Sequence, residues 1–181
     1  MNRASYVVLT SAAGIGMAVA ATVPTPLRLV WNVSASVPIG LYFIEPAGSL
    51  NVTDLVAAIP PKPFAGMFIE RGYLGAGAPL LKRVLGLPGQ VVCRENGAIT
   101  VDAVPLGDAR TTDRSGRELP VWSGCRRVAS GHLFLMNPDV PDSLDGRYFG
   151  PIPAASVIGR AMPLYTDEAG DGRFIWRAAV R

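Results

Sequence analysis

Two serines separated by one residue could carry nucleophilic chemistry near the start of the chain. They lie in the segment WNVSASVPIGLY, residues 31–42. In an extended backbone, residues i and i+2 point to the same side, so Ser34 and Ser36 can both face one bound carbonyl. One hydroxyl would attack, and the other would donate a hydrogen bond to the oxyanion. The spacing alone also fits a solvated, serine-rich strand end.

A lysine interrupts the apolar, strand-like run APLLKRVLGLPG, residues 78–89. Lys62 and Lys82 are the only lysines among 17 basic residues, and the rest are arginines. A guanidinium keeps its proton near neutral pH, so a lysine is the basic residue that can supply a neutral amine. Burial would lower the pKa of Lys82 and make it a general base. The alternative is an exposed lysine on an edge strand, whereas Lys62, between two prolines, is typical of a loop.

A third polar group follows the segment GHLFLMNP, residues 131–138. Asp145 and Arg147 are two residues apart, so in an extended chain they share a face and can form a bidentate ion pair that braces a loop. Ser143 is close enough to join them, and its hydroxyl could orient a lysine amine. Taken alone, this segment is also typical of a polar turn with a surface ion pair.

Several classes of site and partner are disfavoured. The 17 basic and 14 acidic residues are scattered without a block, so we expect no nucleic-acid partner. Cys93 and Cys125 lack CxxC or Cys/His spacing, so we predict no metal site and no cofactor. His132 is the single histidine, and within HLFLM it is typical of a strand residue rather than of a catalytic triad.

An uncharged stretch near the N-terminus predicts a membrane span. Residues 6–23 contain no charge, and a helix of that length is about 27 Å long, close to the thickness of the bilayer hydrocarbon. Arg3 before it and Arg28 after it weakly favour a cytoplasmic N-terminus. We therefore predict a cytoplasmic segment over 1–4, an anchor over 5–27 and an exported domain over 28–181. The Ala18-Val19-Ala20 run leaves a cleaved signal peptide as the alternative.

Both alternatives place most of the chain outside the cytoplasm. An exported location permits a disulfide between Cys93 and Cys125, and two free buried thiols are the other possibility. Short apolar runs separated by Gly and Pro predict a mainly β domain without a long helix after the anchor. Residues 102–127 are polar and rich in turn-forming residues, so we expect an exposed excursion between strands.

Taken in order after the N-terminal span, the three segments resemble the Ser/Lys signal peptidase superfamily. SxSxP matches its serine box, LLKRVLGLPG is similar to its lysine box KRVIGLPGD, and GHLFLMN…DSLDGRYFGPIP is similar to its last box. The serine segment is closer to the NxTxSxPxGLY form of the TraF-type conjugative-transfer peptidases than to the housekeeping form.

The resemblance implies an antiparallel β-sheet catalytic domain with one transmembrane helix. It also implies a location in the bacterial inner membrane, with the catalytic domain on the periplasmic side. The expected partners are a membrane-bound pilin or secretory precursor as substrate and proteins of a transfer apparatus. Hydrolysis would release the cleaved precursor, and attack by the substrate's own amine would give a ring.

Matching residues carry the roles of the superfamily onto this chain. Ser36 matches the nucleophile and Lys82 the general base, while Ser34 matches a hydroxyl that assists the Ser36 amide in the oxyanion hole. The supporting positions are Ser143 beside the lysine and the structural ion pair of Asp145 with Arg147.

The chain departs from the pattern at three places. Pro38 follows the serine by two residues, Asn137-Pro138 replaces a Gly-Asp-Asn run, and Gly146 stands where Ser is common. These departures concern the cleft more than the dyad.

Three other functions compete with this one. A housekeeping leader peptidase would share the chemistry but act on broad secretory substrates. An inactive, membrane-anchored assembly factor would need neither Ser36 nor Lys82. A cytoplasmic, self-cleaving repressor-like protein is disfavoured by the membrane segment.

Overall fold

The computed structural model describes residues 2–22 and 26–179, and its first element is a single apolar helix. Helix α1 covers Arg3–Thr22 and is long and apolar enough to cross a membrane. It begins two residues earlier than the predicted anchor. Residues 23–25 of that predicted anchor lie outside the described residues, and the next element begins at Leu29.

The rest of the described chain is mainly antiparallel β structure, which confirms the predicted fold class. The larger sheet has eight strands in the spatial order β1-β2-β11-β3-β4-β9-β10, with β12 beside β11. Their bounds are β1 Leu29–Asn32, β2 Ile39–Glu45, β3 Leu55–Ala58, β4 Leu80–Gly86, β9 His132–Met136, β10 Ile152–Pro153, β11 Val157–Asp167 and β12 Ile175–Trp176.

A smaller four-stranded sheet forms from the segment between β4 and β9. Its order is β7-β6-β5-β8, and its strands are β5 Val91–Glu95, β6 Ala98–Val101, β7 Val104–Asp108 and β8 Gly124–Arg127. A disulfide joins Cys93 and Cys125, which lie opposite each other on β5 and β8. These two residues are therefore bonded rather than free thiols.

The segment over 102–127 is more structured than its polar composition suggests. It contains β7 and β8, and two of its apolar residues, Leu119 and Trp122, are buried. Trp122 donates from its indole nitrogen to the carbonyl of Gly146 at 3.1 Å. This segment is thus hydrogen-bonded to the stretch that contains Asp145 and Arg147 instead of projecting freely.

Two short helices complete the domain, α2 Lys62–Glu70 and α3 Gly146–Phe149, with a 3-10 turn at Ala154–Ser156. Lys62 begins α2, where a proline follows it, so the residue expected in a loop starts a helix. Phe68 of α2 packs with Val84 of β4 and Leu135 of β9 in one core cluster. Another cluster, around Val92 and Phe134, packs the small sheet against the large one.

Gly40 permits the close approach of β2 to β11. Its φ is 145°, and a Cβ there would lie 2.2 Å from the carbonyl oxygen of Tyr165. Only glycine fits both the backbone conformation and the contact. This contact holds β2 in place immediately after the turn that carries the two serines.

Candidate active site

The serine pair lies in a tight turn between β1 and β2, and the side chain of Asn32 holds that turn. Asn32 Nδ2 donates to the carbonyl oxygens of Ser34 at 2.7 Å, Val37 at 3.1 Å and Pro38 at 3.1 Å. Its Oδ1 accepts from the backbone N–H of Ser34 at 3.1 Å. One buried amide thus supplies the hydrogen bonds that the six-residue connection, residues 33–38, cannot make by strand pairing.

The two serine hydroxyls are in contact. Ser34 Oγ lies 3.1 Å from Ser36 Oγ and 3.0 Å from Asn32 Oδ1. Because an amide oxygen can only accept, Ser34 donates to Asn32, which leaves Ser36 as the donor toward Ser34. An oxyanion role for Ser34 therefore requires its hydroxyl to rotate away from Asn32 when a substrate carbonyl arrives.

Lys82 is buried in β4, with 3% of its surface exposed. Its Nζ donates to Ser143 Oγ at 3.0 Å. Burial lowers the pKa of Lys82 from 10.5 to about 8, while the nearby Asp145 carboxylate acts in the opposite direction and Arg147 adds to the lowering. A substantial fraction of this amine is therefore neutral near pH 8 and can accept a proton.

The Asp145 and Arg147 side chains form a buried, bidentate ion pair. Arg147 donates from Nε to Asp145 Oδ1 at 2.9 Å and from NH2 to Oδ2 at 2.8 Å. Asp145 itself is extended, but it is the N-cap of α3 and accepts from the Arg147 N–H, so the chain turns into a helix immediately after it. A Cβ at Gly146 would lie 2.5 Å from the Phe134 ring, which explains the glycine at this departure from the superfamily pattern.

The turn that carries Ser36 and the strand that carries Lys82 are joined through Asn137. Its Nδ2 donates to the carbonyl oxygens of Ser36 at 2.7 Å and Leu81 at 3.1 Å. Ser36, Lys82 and Ser143 all line one cavity of about 420 Å³. Among the described residues, no hydrogen bond joins Ser36 Oγ to Lys82 Nζ. Ser36 Oγ is hydrogen-bonded to Ser34 Oγ, and Lys82 Nζ is hydrogen-bonded to Ser143 Oγ.

The cavity is bounded by segments distant in sequence. The turn after β1 forms one wall, residues 72–82 form another, and residues 110–119 form a third. Asp142, next to Ser143, accepts from Arg110 at 2.6 Å and from Arg114 at 2.5 Å. These pairs attach the third wall to the polypeptide that carries Ser143.

The other residues considered in the sequence lie elsewhere. The Cys93–Cys125 disulfide is in the small sheet and does not line the cavity. With Glu95, these cysteines make up the one group of potential metal ligands among residues 2–22 and 26–179, but both sulfurs are bonded to each other. His132 is half-buried at the start of β9, and its ring lies 3.3 Å from the carbonyl oxygen of Ser130.

Sequence reasoning missed two residues of the site, Asn32 and Asn137. Asn32 is part of the serine box, but only the serines in that box were assigned a role. Asn137 was noted only as a departure from a pattern. A buried asparagine after an apolar strand end was the available signal, because such an amide must find several hydrogen-bond partners.

The sequence matches a protein family over most of its length. The model for signal peptidase, peptidase S26, matches residues 3–165. The chain belongs to this family, so it is a signal-peptidase-type peptidase with a mainly antiparallel β catalytic domain.

Several similar proteins carry the name of a conjugal transfer protein. A conjugal transfer protein TraF of Agrobacterium tumefaciens (strain 15955) is 36% identical over 177 residues, 91% of this chain and 97% of that protein. Another, from Agrobacterium fabrum, is 38% identical over 148 residues, 75% of this chain and 81% of that protein. A solved signal peptidase I from Enterococcus faecalis V583 covers 63% of this chain and 97% of that one, at 22% identity and a TM-score of 0.37.

Proposed function

We propose that this chain is a membrane-anchored serine endopeptidase that processes a pilin precursor for conjugative transfer or type IV secretion. Ser36 is the nucleophile and Lys82 the general base. The observation that carries the proposal is the buried Lys82 amine, whose pKa is lowered to about 8 and which opens onto the same cavity as Ser36. The similarity to conjugal transfer proteins supports the choice of precursor.

The chemistry begins with a proton transfer. When a peptide enters the cavity, the Ser36 hydroxyl turns from Ser34 toward the neutral amine of Lys82, which takes its proton as the oxygen attacks the scissile carbonyl. The Ser34 hydroxyl and the Ser36 N–H then stabilise the oxyanion. Protonated Lys82 returns the proton to the leaving amine, and an acyl-enzyme remains on Ser36.

The acyl-enzyme is resolved by a second nucleophile. Water, deprotonated by Lys82, gives hydrolysis and restores Ser36. If the amino terminus of the same precursor attacks instead, a new peptide bond closes the chain into a ring. Both routes use the same base, so the supply of water and of amine at the cavity decides between them.

The peptide binds as an added strand. Strand β4 pairs with β9 only from Arg83 onward, so Leu81, whose backbone faces that side, has no strand beside it there among the described residues, and it lines the cavity. Strand β1 forms the outer edge of the large sheet on the opposite wall. Backbone hydrogen bonds to such edges hold an extended peptide without selecting its side chains.

The domain lies against the membrane surface on the periplasmic side of the inner membrane. The rings of Trp31, Phe174 and Tyr165 stack in series at 6.0 Å and 5.0 Å, and Trp176 packs beside Tyr165. Trp31 and Trp176 are more than half exposed. Trp31 follows the end of α1 by nine residues, so the chain allows at most roughly 30 Å between them, and exposed Trp and Tyr rings within that reach of an anchor favour the membrane interface.

The disulfide supports the assignment of the periplasmic side. Cys93 and Cys125 are bonded, and disulfides persist in oxidising compartments and are rare in the cytosol. The membrane contact is tested by reconstituting the full chain in vesicles with brominated lipids, which quench tryptophan fluorescence. We expect quenching in the wild type and its loss in the Trp31→Phe, Trp176→Phe double variant, whose remaining Trp122 is buried. Equal quenching in both proteins would contradict the membrane contact.

The function is tested by mass spectrometry of candidate pilin precursors incubated in membranes with the wild type and with Ser36→Ala. We expect cleavage only with the wild type, and a ring is recognised by a product mass lower by one water than the cleaved linear chain. Lys82→Arg retains the positive charge but cannot act as a base, so it should be as inactive as Ser36→Ala. Equal cleavage with the wild type and both variants would show that Ser36 and Lys82 do not cleave the precursor, and conjugative transfer that survives both substitutions would support a non-enzymatic assembly factor instead. Rescue of a leader-peptidase-depleted strain would indicate a housekeeping role.

A further inference from the structure

The side chain of Asn137 occupies a place in the large sheet where a strand is missing. Strand β9 ends at Met136, which pairs with Arg83 of β4, and Asn137 is the next residue. Its Oδ1 accepts from the Arg83 N–H at 3.1 Å, and its Nδ2 donates to the Leu81 carbonyl at 3.1 Å. The carboxamide therefore makes the two hydrogen bonds that another strand residue would make with β4.

The second N–H of the same amide continues the link to the nucleophile turn. Nδ2 donates to the Ser36 carbonyl at 2.7 Å, across 101 residues of sequence. An asparagine amide has two donors and one strong acceptor oxygen, and all of them are used here. With only 4% of its surface exposed, Asn137 has little access to water as an alternative partner.

The backbone of Asn137 is itself held by the buried ion pair. Its N–H donates to Asp145 Oδ2 at 3.1 Å, and its carbonyl accepts from Arg147 NH2 at 3.0 Å. Movement of the amide is thus restricted from both sides.

We propose that Asn137 is the positioning residue of the active site, because its amide fixes the nucleophile turn against the strand that carries Lys82. This inference rests on the proposed function of Ser36 and Lys82. Asn137 does not act on the substrate. It sets the separation between the Ser36 hydroxyl, which lies in the turn between β1 and β2, and the Lys82 amine on β4, a strand that pairs with neither β1 nor β2.

The test uses a small acyl donor, so that peptide recognition does not enter the measurement. p-Nitrophenyl acetate acetylates a serine by forming a new ester and releasing p-nitrophenol, whose proton comes from the serine through the base. The full chain in detergent micelles is compared with Asn137→Ala, and Ser36-specific acetylation is followed by intact mass against Ser36→Ala. Asn96→Asp, in the exposed turn between β5 and β6, is the control variant.

The pH profile separates positioning from general loosening of the structure. We expect Asn137→Ala to lower the plateau rate roughly tenfold to a hundredfold, the effect of a misplacement of about 1 Å, while the apparent pKa stays near 8. If Asn137 only supported the fold, water would reach Lys82 and the apparent pKa would move toward 10.5, which would overturn the proposal. An unchanged plateau would overturn it too.

A second variant covers the case in which Asn137→Ala does not fold. Asn137→Asp has the same shape and keeps the acceptor for the Arg83 N–H, but it loses both donors, including the one to Ser36. We expect its plateau rate to fall by at least about tenfold, and a plateau equal to that of Asn96→Asp would refute the positioning role. If the wild type is acetylated no faster than Ser36→Ala, the proposed function fails and the inference fails with it.

Discussion

Replacing Lys82 by methionine should stabilise this protein at neutral pH while abolishing its activity. Lys82 is buried, and burial is the largest influence on its pKa. The folded protein therefore pays a free-energy penalty whenever this amine carries a proton. Methionine fills a similar volume without a charge, so the penalty disappears with the amine.

The size of the effect follows from the pKa. Lowering it from 10.5 to about 8 corresponds to roughly 3 kcal/mol, at about 1.4 kcal/mol for each pH unit. Above pH 10.5 the amine is neutral in both the folded and the unfolded chain, so there is no penalty. The penalty grows as the pH falls from 10.5 to about 8, and it is constant below that. Loss of the hydrogen bond to Ser143 offsets about 1 kcal/mol, which leaves a net gain of about 2 kcal/mol near pH 7.

The measurement is urea unfolding of the full chain in detergent micelles, followed by tryptophan fluorescence between pH 7 and 10.5. Lys62→Met is the matched control, because Lys62 is the other lysine and is exposed at the start of α2. The stability advantage of Lys82→Met over Lys62→Met should shrink by roughly 3 kcal/mol across this pH range. An advantage that does not change with pH would show that Lys82 has an ordinary pKa and would remove the basis for a lysine general base.

Three further predictions concern the surroundings of the amine and the small sheet. Ser143→Ala should lower kcat about tenfold with little change in KM, because Ser143 makes the hydrogen bond that orients Lys82. Steady-state kinetics on a precursor peptide that the wild type cleaves measure this effect. A change confined to KM would count against it. Arg147→Met leaves the buried carboxylate of Asp145 without its partner, so it should cost at least about 3 kcal/mol in urea unfolding. The unpaired carboxylate should also raise the pKa of Lys82 and with it the pH at which activity appears. An unshifted pH profile would refute the electrostatic argument. The paired substitution Cys93→Ser with Cys125→Ser should cost about 3–4 kcal/mol of unfolding free energy, because the crosslink spans 32 residues. We expect kcat to stay unchanged. Loss of activity in the folded variant would contradict the separation of the disulfide from the cavity.

The parts of the fold that could be predicted from sequence are those with a local signal. Short apolar runs between glycines and prolines predicted a mainly β domain, and this prediction is confirmed. The uncharged N-terminal stretch predicted a helix, which the structure describes as α1. The roles given to Ser36 and Lys82 rest on motif resemblance, and they stay predictions that the geometry supports.

The features that could not be predicted depend on contacts between distant segments. The link from Asn137 to Ser36 spans 101 residues, and no local pattern specifies it. Most of residues 102–127 are exposed, but their polar composition gives no sign that Trp122 is buried and hydrogen-bonded to Gly146. Their charges are used in pairs such as Arg114 with Asp142, which composition alone does not reveal.

The buried ion pair explains how a carboxylate can lie near Lys82 without holding its amine in the protonated form. An unpaired carboxylate in this position would stabilise the ammonium form of Lys82 and remove the base. Arg147 donates to both oxygens of Asp145, and its own charge lowers the pKa of Lys82 while Asp145 raises it. The two influences oppose each other, so burial remains the largest. Asp145 therefore accepts from the Asn137 backbone, and through Asn137 it holds the turn that carries Ser36, while the Lys82 amine stays available for the proposed role of base.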